Sequence, residues 1–581
     1  MKYVVAVLFL IFFQSFCFAQ QYDVLIKFTG KDNSFKIPQI NTAYSFADNQ
    51  TAIKFIENLP ELMFNAGFPA ASIDSVNFSD SVYTVNMFCG PVINSVLLEN
   101  GNINKAAFRF NKNVRLNEIS KIKSSLLNWY GNNGYPFAKV FLDSISFEKE
   151  TMKATLMVDT IMLYRLDSIR IHGKAGISNS YMHQYLGIPR NSVYNWQKLS
   201  LVDKKIADNS FVSATQPSKI NMLGSGAVLD LFLKPKKSSR FDIIIGLLPD
   251  ATQTGKLLIT GDINLDLQNT FGSGEKILFK WQQLQKKSPR LNLGFSKPYL
   301  FSTPYGVDAS FNLYKKDSQY LKVNATAGLM YNFSSDTYGK LFSNFQITTL
   351  LAGAVDTVKI KSSGKLPDIN DVSSVNIGLN YFSSKTDYKF NPTKGFEFDG
   401  TLLTGLKKIK LNADILSISD PQFDYKKLYD SLLNKQYLLR LNFVFSKYFK
   451  LKNASTLKVS VSPGLFLSPS IFANELFRIG GYNLLRGFDE ESIYADKYFV
   501  ASTEYRLLTG INSHLFSFVD LGWAGNKISN TSNTFAGVGI GLVLETKLGL
   551  LNVSYAVGKQ SNKDFRLREA SKIHFGYINY F

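Results

Sequence analysis

Hydrophobic and polar residues alternate one by one along the second half of the chain, from about residue 238 to the C terminus. The pattern is clear in segments 307–313, 374–381, 456–461 and 551–557, where every second residue is apolar. A period of two residues places neighbouring side chains on opposite faces of a β-strand. The pattern therefore predicts that this half of the protein is built from strands.

The spacing of these strands favours a membrane barrel over a soluble β-sandwich. A sandwich also alternates, but polar turns usually interrupt it about every 8–12 residues. Sixteen strands sharing residues 238–581 would have roughly 21 residues each, enough for tilted membrane strands with short and long loops. The strand pattern also reaches the last residue, Phe581, as expected if that strand closes a barrel. We therefore predict an all-β, sixteen-stranded, antiparallel transmembrane barrel over 238–581.

An export signal is predicted at the N terminus. Lys2 precedes the apolar stretch 4–13, and Cys17-Phe18-Ala19 has small residues where signal peptidase requires them. We therefore expect a signal peptide over residues 1–19. Lipid modification of Cys17 is the weaker interpretation, because Phe16 stands where a small residue is expected. No later apolar stretch is as long as a membrane-spanning helix, so the exported chain is expected to be soluble or a β-barrel.

The first half contains an internal repeat. Residues 67–73, Gly-Phe-Pro-Ala-Ala-Ser-Ile, and residues 134–140, Gly-Tyr-Pro-Phe-Ala-Lys-Val, match at an offset of 67. A helical pattern precedes each copy and a strand-like pattern follows it. A weaker third copy has a helical pattern around Leu199, Val202 and Ile206. Unrelated helix–turn–strand segments are the alternative to three small α+β modules. The predicted module boundaries are 20–90, 91–160 and 161–237.

The composition excludes several classes of protein. The 581 residues are 45% hydrophobic and 19% charged, which rules out a disordered chain, and the 14% aromatic content suits strands. Only Cys17 and Cys89 are present, and the four histidines lack metal-ligand spacing, so we predict no disulfide, metal or cofactor. The net charge of +20 suggests attraction to outer-membrane lipid headgroups, with a solvated surface as the alternative. We expect no nucleic-acid partner, because an exported barrel meets none.

Three motifs in the second half point to a known family. Residues 480–488 read Gly-Gly-Tyr-Asn-Leu-Leu-Arg-Gly-Phe, residues 518–522 read Phe-Val-Asp-Leu-Gly, and residues 295–301 read Phe-Ser-Lys-Pro-Tyr-Leu-Phe. They resemble the (V/L)RG(F/Y), F-x-D-x-G and EPY/W-LF motifs of the BamA/TamA superfamily, although Lys297 replaces the usual acidic residue. The resemblance covers essentially the whole mature chain. It implies POTRA domains in the periplasm, followed by a sixteen-stranded barrel in the bacterial outer membrane.

The family places the loop that carries its Arg-Gly-Phe motif inside the barrel. This implies a luminal site for Arg486, Gly487 and Phe488. Alternation along the following strands turns Glu504 and Asp520 toward the same side. These carboxylates are suitable partners for the guanidinium of Arg486.

Three glycines in the next strand, Gly537, Gly539 and Gly541, are also predicted to face inward. We expect them to clear space for the folded-in loop. A nucleotide-binding loop is the alternative, but it would need a turn into a helix and a third glycine at another spacing, and neither is present. A barrel strand is therefore favoured.

The last strand carries features that predict a weak pairing. The family's C-terminal signal is polar-x-Gly-x-x-aromatic-x-Phe; His574, Gly576 and Phe581 fit it, whereas Asn579 departs from it. Gly576 removes a side chain and Asn579 lowers the strand propensity. We therefore expect Gly576 and Phe581 to belong to a gate strand that pairs loosely with the first strand, near 240–246.

The resemblance implies insertion or translocation of client proteins through this opening, without an enzymatic reaction. No catalytic motif stands out in the sequence, and we predict that the protein is not an enzyme. Three repeats look most like TamA, which implies unfolded outer-membrane proteins as clients and leaves open a TamB-like periplasmic partner. The alternative is a two-partner-secretion transporter that exports a single substrate. That class normally has two POTRA domains and a plug helix, whereas residues 20–50 show no amphipathic helix.

Overall fold

The computed structural model of the protein describes most of the mature chain. The described residues are 21–31, 35, 37, 40–103, 110–224, 226–236, 238–249, 257–283, 288–388, 391–421, 423–452, 454–482, 484–546 and 549–579. The predicted signal peptide and Phe581 lie outside them. The contacts divide the chain into two units. The first runs to Arg165 and includes Val193–Leu199 and Leu223–Ala227, and the second contains the remainder.

The first unit contains two modules, each with one long helix and a four-stranded sheet. The elements of the first module are β1 (Tyr22–Phe28), β2 (Ala43–Phe46), α1 (Asn49–Asn65), β3 (Ser72–Ser79) and β4 (Val82–Phe88). Those of the second are β5 (Ser95–Asn100), β6 (Asn113–Val114), α2 (Leu116–Asn132), β7 (Lys139–Glu148) and β8 (Thr151–Asp159). The strand orders are β2-β1-β4-β3 and β6-β5-β8-β7, and the central pairs are parallel. The two modules therefore have the same topology.

The offset of 67 residues in the sequence recurs in the structure. Helices α1 and α2, and strands β3 and β7, begin 67 residues apart. Leu59 and Leu126 occupy equivalent positions on the two helices, and both are fully buried. Gly67 and Gly134 follow the helices with φ of +101° and +98°, a conformation that favours glycine. The repeated glycine thus marks the same turn from helix to strand in both modules.

A third module precedes the large sheet. Its elements are β9 (Arg165–His172), α3 (Asn179–Leu186), β10 (Ser192–Val193), α4 (Trp196–Ser200), α5 (Val202–Asp208), β11 (Val212–Ala214), β12 (Lys219–Leu223) and β13 (Gly226–Pro235). The strand order is β10-β9-β13-β11, with β12 also paired to β13. Buried Leu199, Val202 and Ile206 form the helical pattern seen in the sequence, whereas α3 is an additional helix.

The rest of the chain forms a large antiparallel sheet. Its strands are β14 (Arg240–Pro249), β15 (Leu257–Gln268), β16 (Lys276–Gln283), β17 (Arg290–Lys297), β18 (Tyr305–Lys316), β19 (Tyr320–Ser334), β20 (Thr337–Leu350), β21 (Val372–Thr386), β22 (Gly395–Ile409), β23 (Gln436–Lys450), β24 (Ser455–Leu467), β27 (Lys497–Leu508), β28 (His514–Asn526), β29 (Thr531–Thr546), β30 (Gly549–Gln560) and β31 (Ser571–Asn579). Strands β25 (Phe477–Ile479) and β26 (Ile493–Ala495) pair with each other, so that β24 pairs with β27. Between the strands lie α6 (Thr357–Ser363), α7 (Ala413–Leu416), α8 (Leu567–Ala570) and two 3-10 helices, Tyr425–Tyr429 and Ala473–Glu475. The alternating pattern correctly predicted this sheet.

One face of the large sheet exposes bulky apolar side chains. On β21, Val375 and Ile377 are 63% and 60% exposed, while the alternating residues Ser374 and Asn376 are buried. A continuous apolar surface of this kind is unfavourable in water and is typical of a sheet that faces lipid. None of the helices in the described part of the chain has the length and hydropathy needed to cross a membrane.

The two ends of the large sheet differ. At one end, short turns contact α3: Ser178 N donates to Gly272 O at 2.8 Å, and Gln184 Nε2 donates to Ser302 O at 2.6 Å. At the other end, the β20–β21, β22–β23 and β24–β25 connections form a compact structure that we call the cap. The buried residues of these connections include Val355, Ile360, Ile415, Tyr425, Tyr429 and Phe472. The third module and the cap therefore occupy opposite ends of the sheet.

Candidate functional site

The Arg-Gly-Phe motif lies in the segment between β25 and β26, which we call the motif loop. The segment bends sharply, and Gly480, Gly481 and Gly487 all have positive φ, between +90° and +110°. These turns bring the motif onto the same face of the sheet as Phe518 and Asp520, which we call the inner face. On β28 this face is buried, whereas the intervening Val519 is 47% exposed.

Arg486 lies at the centre of a hydrogen-bonded cluster. Its Nε donates to Asp520 Oδ2 at 2.8 Å, and its Nη2 donates to Asp520 Oδ1 at 2.7 Å. Its Nη1 donates to Glu504 Oε2 at 2.5 Å, and Nη2 also donates to Ser502 Oγ at 2.9 Å. The backbone N–H of Arg486 donates to Asp520 Oδ2 at 3.0 Å. Asp520 thus accepts a bidentate pair from the side chain and also fixes the backbone of the loop.

The cluster is buried and electrostatically paired. Arg486 and Glu504 are each 7% exposed and Asp520 only 1%. Burial by itself would lower the pKa of Arg486, but hydrogen bonds from the guanidinium to Asp520 and Glu504, and the charges of both carboxylates, raise it above its usual value. Arg506 Nε donates to Glu504 Oε1 at 2.7 Å and adds a second cation. The Arg486 guanidinium also lies 3.5 Å from the centre of the Phe518 ring. Pairing therefore offsets the desolvation of the buried charges.

Two glycines of the sheet leave room for the backbone of the motif loop. A Cβ atom on Gly537 would lie 2.1 Å from the Arg486 carbonyl oxygen, and one on Gly558 would lie 2.4 Å from the Gly487 carbonyl oxygen. Gly537 and Gly558 are paired neighbours on β29 and β30. We call this pair the glycine notch. Any side chain larger than hydrogen would displace the loop at either position.

The other two glycines of β29 have a different role from the one expected. A Cβ atom on Gly539 or Gly541 would overlap the ring of Phe518 or Phe516, respectively. These glycines accommodate the inward-facing aromatic rings of β28. Among the three predicted inward glycines, Gly537 is the one at which an added side chain would collide with the motif loop. Gly558, the other half of the notch, was not identified from the sequence.

Phe488 anchors the loop through packing. Its ring meets that of Phe535 edge to face, with the centroids 5.3 Å apart. It packs against a buried cluster that includes Ile479, Leu485 and Ala495. Arg486 and Phe488 therefore hold the loop by electrostatic and apolar contacts, respectively, with Gly487 between them in the notch.

Two further ion-paired clusters hold the β24–β27 segment to other strands. Glu491 pairs with both Arg290 of β17 and Arg478, each at 3.1 Å, and Tyr314 lies between the two guanidinium groups. Glu475 pairs at 2.8 Å with Lys407 of β22, a side chain with no exposed surface. The alternating pattern marks Lys407 as inward-facing, but nothing local in the sequence identifies its partner. These clusters were not predicted.

The predicted gate-strand residues are only partly described. Gly576 lies on β31 opposite Asn552 of β30, and Phe581 is outside the described residues. Within the described ranges, no group of three or more His, Cys, Asp or Glu residues has a metal-binding arrangement. The chemistry of the site is thus ion pairing, hydrogen bonding and close backbone packing, which position a loop against a sheet.

The chain is similar to one protein-family model and to several solved structures. A model of the Omp85 superfamily domain matches residues 269–577, more than half of the chain. Similar solved structures include BamA from Haemophilus ducreyi lacking POTRA domains 1–3, with 16% identity, 83% coverage of this chain, 98% of that chain and a TM-score of 0.45. CdiB from Acinetobacter baumannii has 15% identity, 81% and 87% coverage and a TM-score of 0.48. For CdiB from Escherichia coli the values are 14%, 90%, 96% and 0.49.

The curated proteins include no match to this chain. The family model nevertheless spans the inner-face cluster, the motif loop and most of the large sheet. On that match, the chain belongs to the Omp85 superfamily of outer-membrane β-barrel proteins, whose POTRA domains lie in the periplasm.

Proposed function

We propose that the protein inserts outer-membrane client proteins through a lateral gate in a closed, sixteen-stranded barrel. Membership of the Omp85 superfamily supports a role in protein transport or insertion. The observation that carries the more specific proposal is that the motif loop contacts two strands that lie far apart in the strand order, β17 and the last strand β31. Glu491 pairs with Arg290 on β17, and Asp489, two residues away, pairs with Lys572 on β31 at 2.7 Å.

These two contacts support closure of the sheet. Strands β17 and β31 are twelve strand spacings apart in the strand order, roughly 58 Å if the sheet were flat. Two residues of one loop span only about 7 Å, and each ion-paired couple of side chains adds at most about 15 Å, so the total falls well short of that distance. Both contacts can form together only if the sheet curls strongly. Pairing of β14 with β31 would complete a barrel and leave no unpaired edge in lipid.

The closing pair is the proposed gate. Gly576 lies within β31, where the missing side chain weakens packing against a neighbouring strand. If β31 separates from β14, the backbone of the first strand becomes available to a client strand. Every other neighbouring pair in the sheet is joined directly along the chain or through the well-anchored segment from β24 to β27. The seam is therefore the place where the barrel can open most easily.

The cap supports insertion over export through the lumen. Its three connections are joined by hydrogen bonds, including Asn412 Nδ2 to Asp371 Oδ2 at 2.7 Å and Asn370 N to Asn474 Oδ1 at 3.2 Å. The buried Lys407–Glu475 pair fixes the cap to the wall of the sheet. An exporter of the two-partner-secretion class needs an exit at this end, so the cap would have to be dismantled. That transporter class remains the alternative function.

The proposed clients are unfolded outer-membrane proteins, received by the POTRA-like modules. Strands β3 and β7 are edge strands of their sheets, and Phe78 and Phe147 on them are 53% and 55% exposed. Exposed edge strands can pair with an extended client segment. Three α+β modules support the TamA-like assignment, for which a TamB-like protein would be the periplasmic partner. Loss of many barrel proteins from the outer membrane after depletion would support insertion, and loss of one secreted protein would support the alternative.

Cysteine crosslinking tests the gate directly. One cysteine would be placed within residues 241–245 of β14 and the other within 574–579 of β31, in the full-length protein. We expect efficient crosslinking in membranes, a block of client assembly, and recovery of assembly after reduction. Efficient crosslinking with undiminished client assembly would refute the lateral gate and favour export through the lumen.

A further inference from the structure

The motif loop is bonded to the last strand as well as to the wall formed by β27 and β28. Lys572 Nζ of β31 lies 2.7 Å from Asp489 Oδ1. The backbone N–H of Gly487 donates to His574 Nε2 at 3.4 Å. The rings of Tyr482 and His574 are 6.1 Å apart. The residues on both sides of Arg486 therefore contact the same short stretch of β31.

The neighbouring strand β30 is held by the same loop. The Tyr482 hydroxyl is hydrogen-bonded to Asn552 Nδ2, and Gly487 lies against Gly558 in the glycine notch. Strands β30 and β31 are paired over most of their length. The loop thus contacts both strands of the last hairpin, next to the proposed gate.

The contacts on the two sides of the loop differ in burial. The Arg486–Asp520 pair is almost completely buried, whereas the side chain of Asp489 is 70% exposed and that of Lys572 is 29% exposed. Exposed ion pairs contribute little free energy, whereas breaking a buried pair is strongly unfavourable. The loop is consequently fixed firmly to β27 and β28 and only lightly to β31.

We propose that Asp489, Lys572 and His574 are positioning residues that form a weak latch between the motif loop and the gate strand. The firmly held Arg486 provides the fixed point, and the latch holds β31 in place beside β14 until a client arrives. Because the latch is weak, it can release without disturbing the buried cluster. This inference rests on the proposed lateral gate and assigns the regulation of that gate to the loop.

Distance measurements between spin labels test the latch without reference to a client. Labels at Ser492→Cys in the loop and Ile573→Cys on β31 report the latch, and labels at Ser492→Cys and Leu515→Cys on β28 report the fixed side. All would be made in full-length protein carrying Cys89→Ser, reconstituted in lipid. We expect Asp489→Lys to lengthen or broaden the first distance and to leave the second unchanged.

The same variants are then assayed for client insertion. Loss of one exposed ion pair should raise the open fraction of the gate, and the insertion rate, roughly two- to fivefold. Lys572→Asp should have the same effect, and the charge-reversed double variant Asp489→Lys/Lys572→Asp should restore both distance and rate. The matched control is Lys276→Asp, which breaks the Lys276–Asp266 pair between β16 and β15 and should change neither.

The outcomes separate the latch from the gate. An unchanged Ser492–Ile573 distance in both single variants would overturn the latch. A changed distance with an unchanged insertion rate would show that the contact exists but has no positioning role, which also overturns the inference. Failure of the lateral gate itself would appear in the seam crosslinking experiment, whose cysteines can be placed without altering Asp489, Lys572 or His574.

Discussion

Each nitrogen of the Arg486 guanidinium has an acceptor, supplied by Asp520, Glu504 and Ser502. A planar guanidinium can satisfy this arrangement, whereas the ammonium of lysine cannot form the same bidentate pair. The cation therefore enters the inner face of the sheet with every guanidinium nitrogen hydrogen-bonded. The backbone N–H of Arg486 also donates to Asp520, so this carboxylate holds the backbone of the motif loop as well as the side chain.

Substitution of Arg486 should destabilise the large sheet and leave the modules folded. We expect Arg486→Ala to lower the free energy of unfolding by about 3–5 kcal/mol, because buried Asp520 loses its cation and buried Glu504 keeps only Arg506. Arg486→Lys should recover only part of this loss. Thermal unfolding in detergent provides the measurement, with the exposed Arg170→Ala as control. A fully active Arg486→Ala variant with normal heat stability would refute the role of the pair.

The glycine notch predicts a steric effect that is independent of charge. Gly558→Ala should displace the motif loop, because the new Cβ atom would lie 2.4 Å from the Gly487 carbonyl oxygen. The control is Gly525→Ala on β28, where the nearest atom would be a flexible Lys497 carbon at 3.4 Å. Proteolysis of the loop in folded protein should be faster for Gly558→Ala and unchanged for Gly525→Ala. Equal protection in both variants would contradict the notch.

The strands of the large sheet were predictable because apolar and polar residues alternate along each of them. The inward orientation of Asp520 and Glu504 follows directly from that alternation. The functions of Gly539 and Gly541 did not follow, because the inward faces of neighbouring strands must share space and the rings of Phe516 and Phe518 occupy it. Alternation therefore predicts which way a side chain points but not what it meets.

Contacts between distant elements were beyond the reach of the sequence pattern. Lys407 on β22 and Glu475 in the 3-10 helix are 68 residues apart, and each is an ordinary charged residue in its local context. The helix α3 was also missed, since its residues that face the turns of the sheet, such as Tyr181, give a weak helical pattern over only eight residues. The ring of Tyr181 lies 5.3 Å from that of Tyr299. This contact joins two elements that are distant in the sequence, so no local pattern indicates it.

The Lys407–Glu475 pair should show strong coupling between its two members. Lys407→Met or Glu475→Gln alone leaves an uncompensated buried group and should cost about 3–5 kcal/mol. The double variant should cost clearly less than the sum, because neither charge then remains buried. A double-mutant cycle of unfolding free energies measures the coupling. Additive costs would indicate that the pair does not hold the cap to β22.

At the scale of the whole molecule, the two halves should differ in their need for lipid. Residues 20–237 should be soluble and folded when produced alone, since each module has its own helix and sheet. Residues 238–581 should require detergent or lipid, because one face of the sheet exposes side chains such as Val375 and Ile377. A second half that stays monomeric in plain buffer would contradict the membrane assignment.

Hydrogen exchange can test the contacts of the third module. In the isolated residues 20–237, α3 loses its hydrogen bonds to Gly272 and Ser302. We expect faster amide exchange in α3 than in the full-length protein, with α1 unchanged as the internal control. Equal exchange of α3 in both proteins would show that the turns of the sheet do not stabilise the third module.

The ion pairs that hold the segment between β24 and β27 to other strands affect the order of folding events. Arg290 and Glu491 are 201 residues apart, so their pairing closes a very long loop of chain. Contacts of such high sequence separation form slowly, after the intervening strands have found their partners. Insertion of the motif loop should consequently be one of the last events in the maturation of the protein. A strand paired one residue out of register would turn Arg290 or Asp520 away from the loop. The motif loop can therefore make all of its contacts only after the whole sheet has assembled in the correct register.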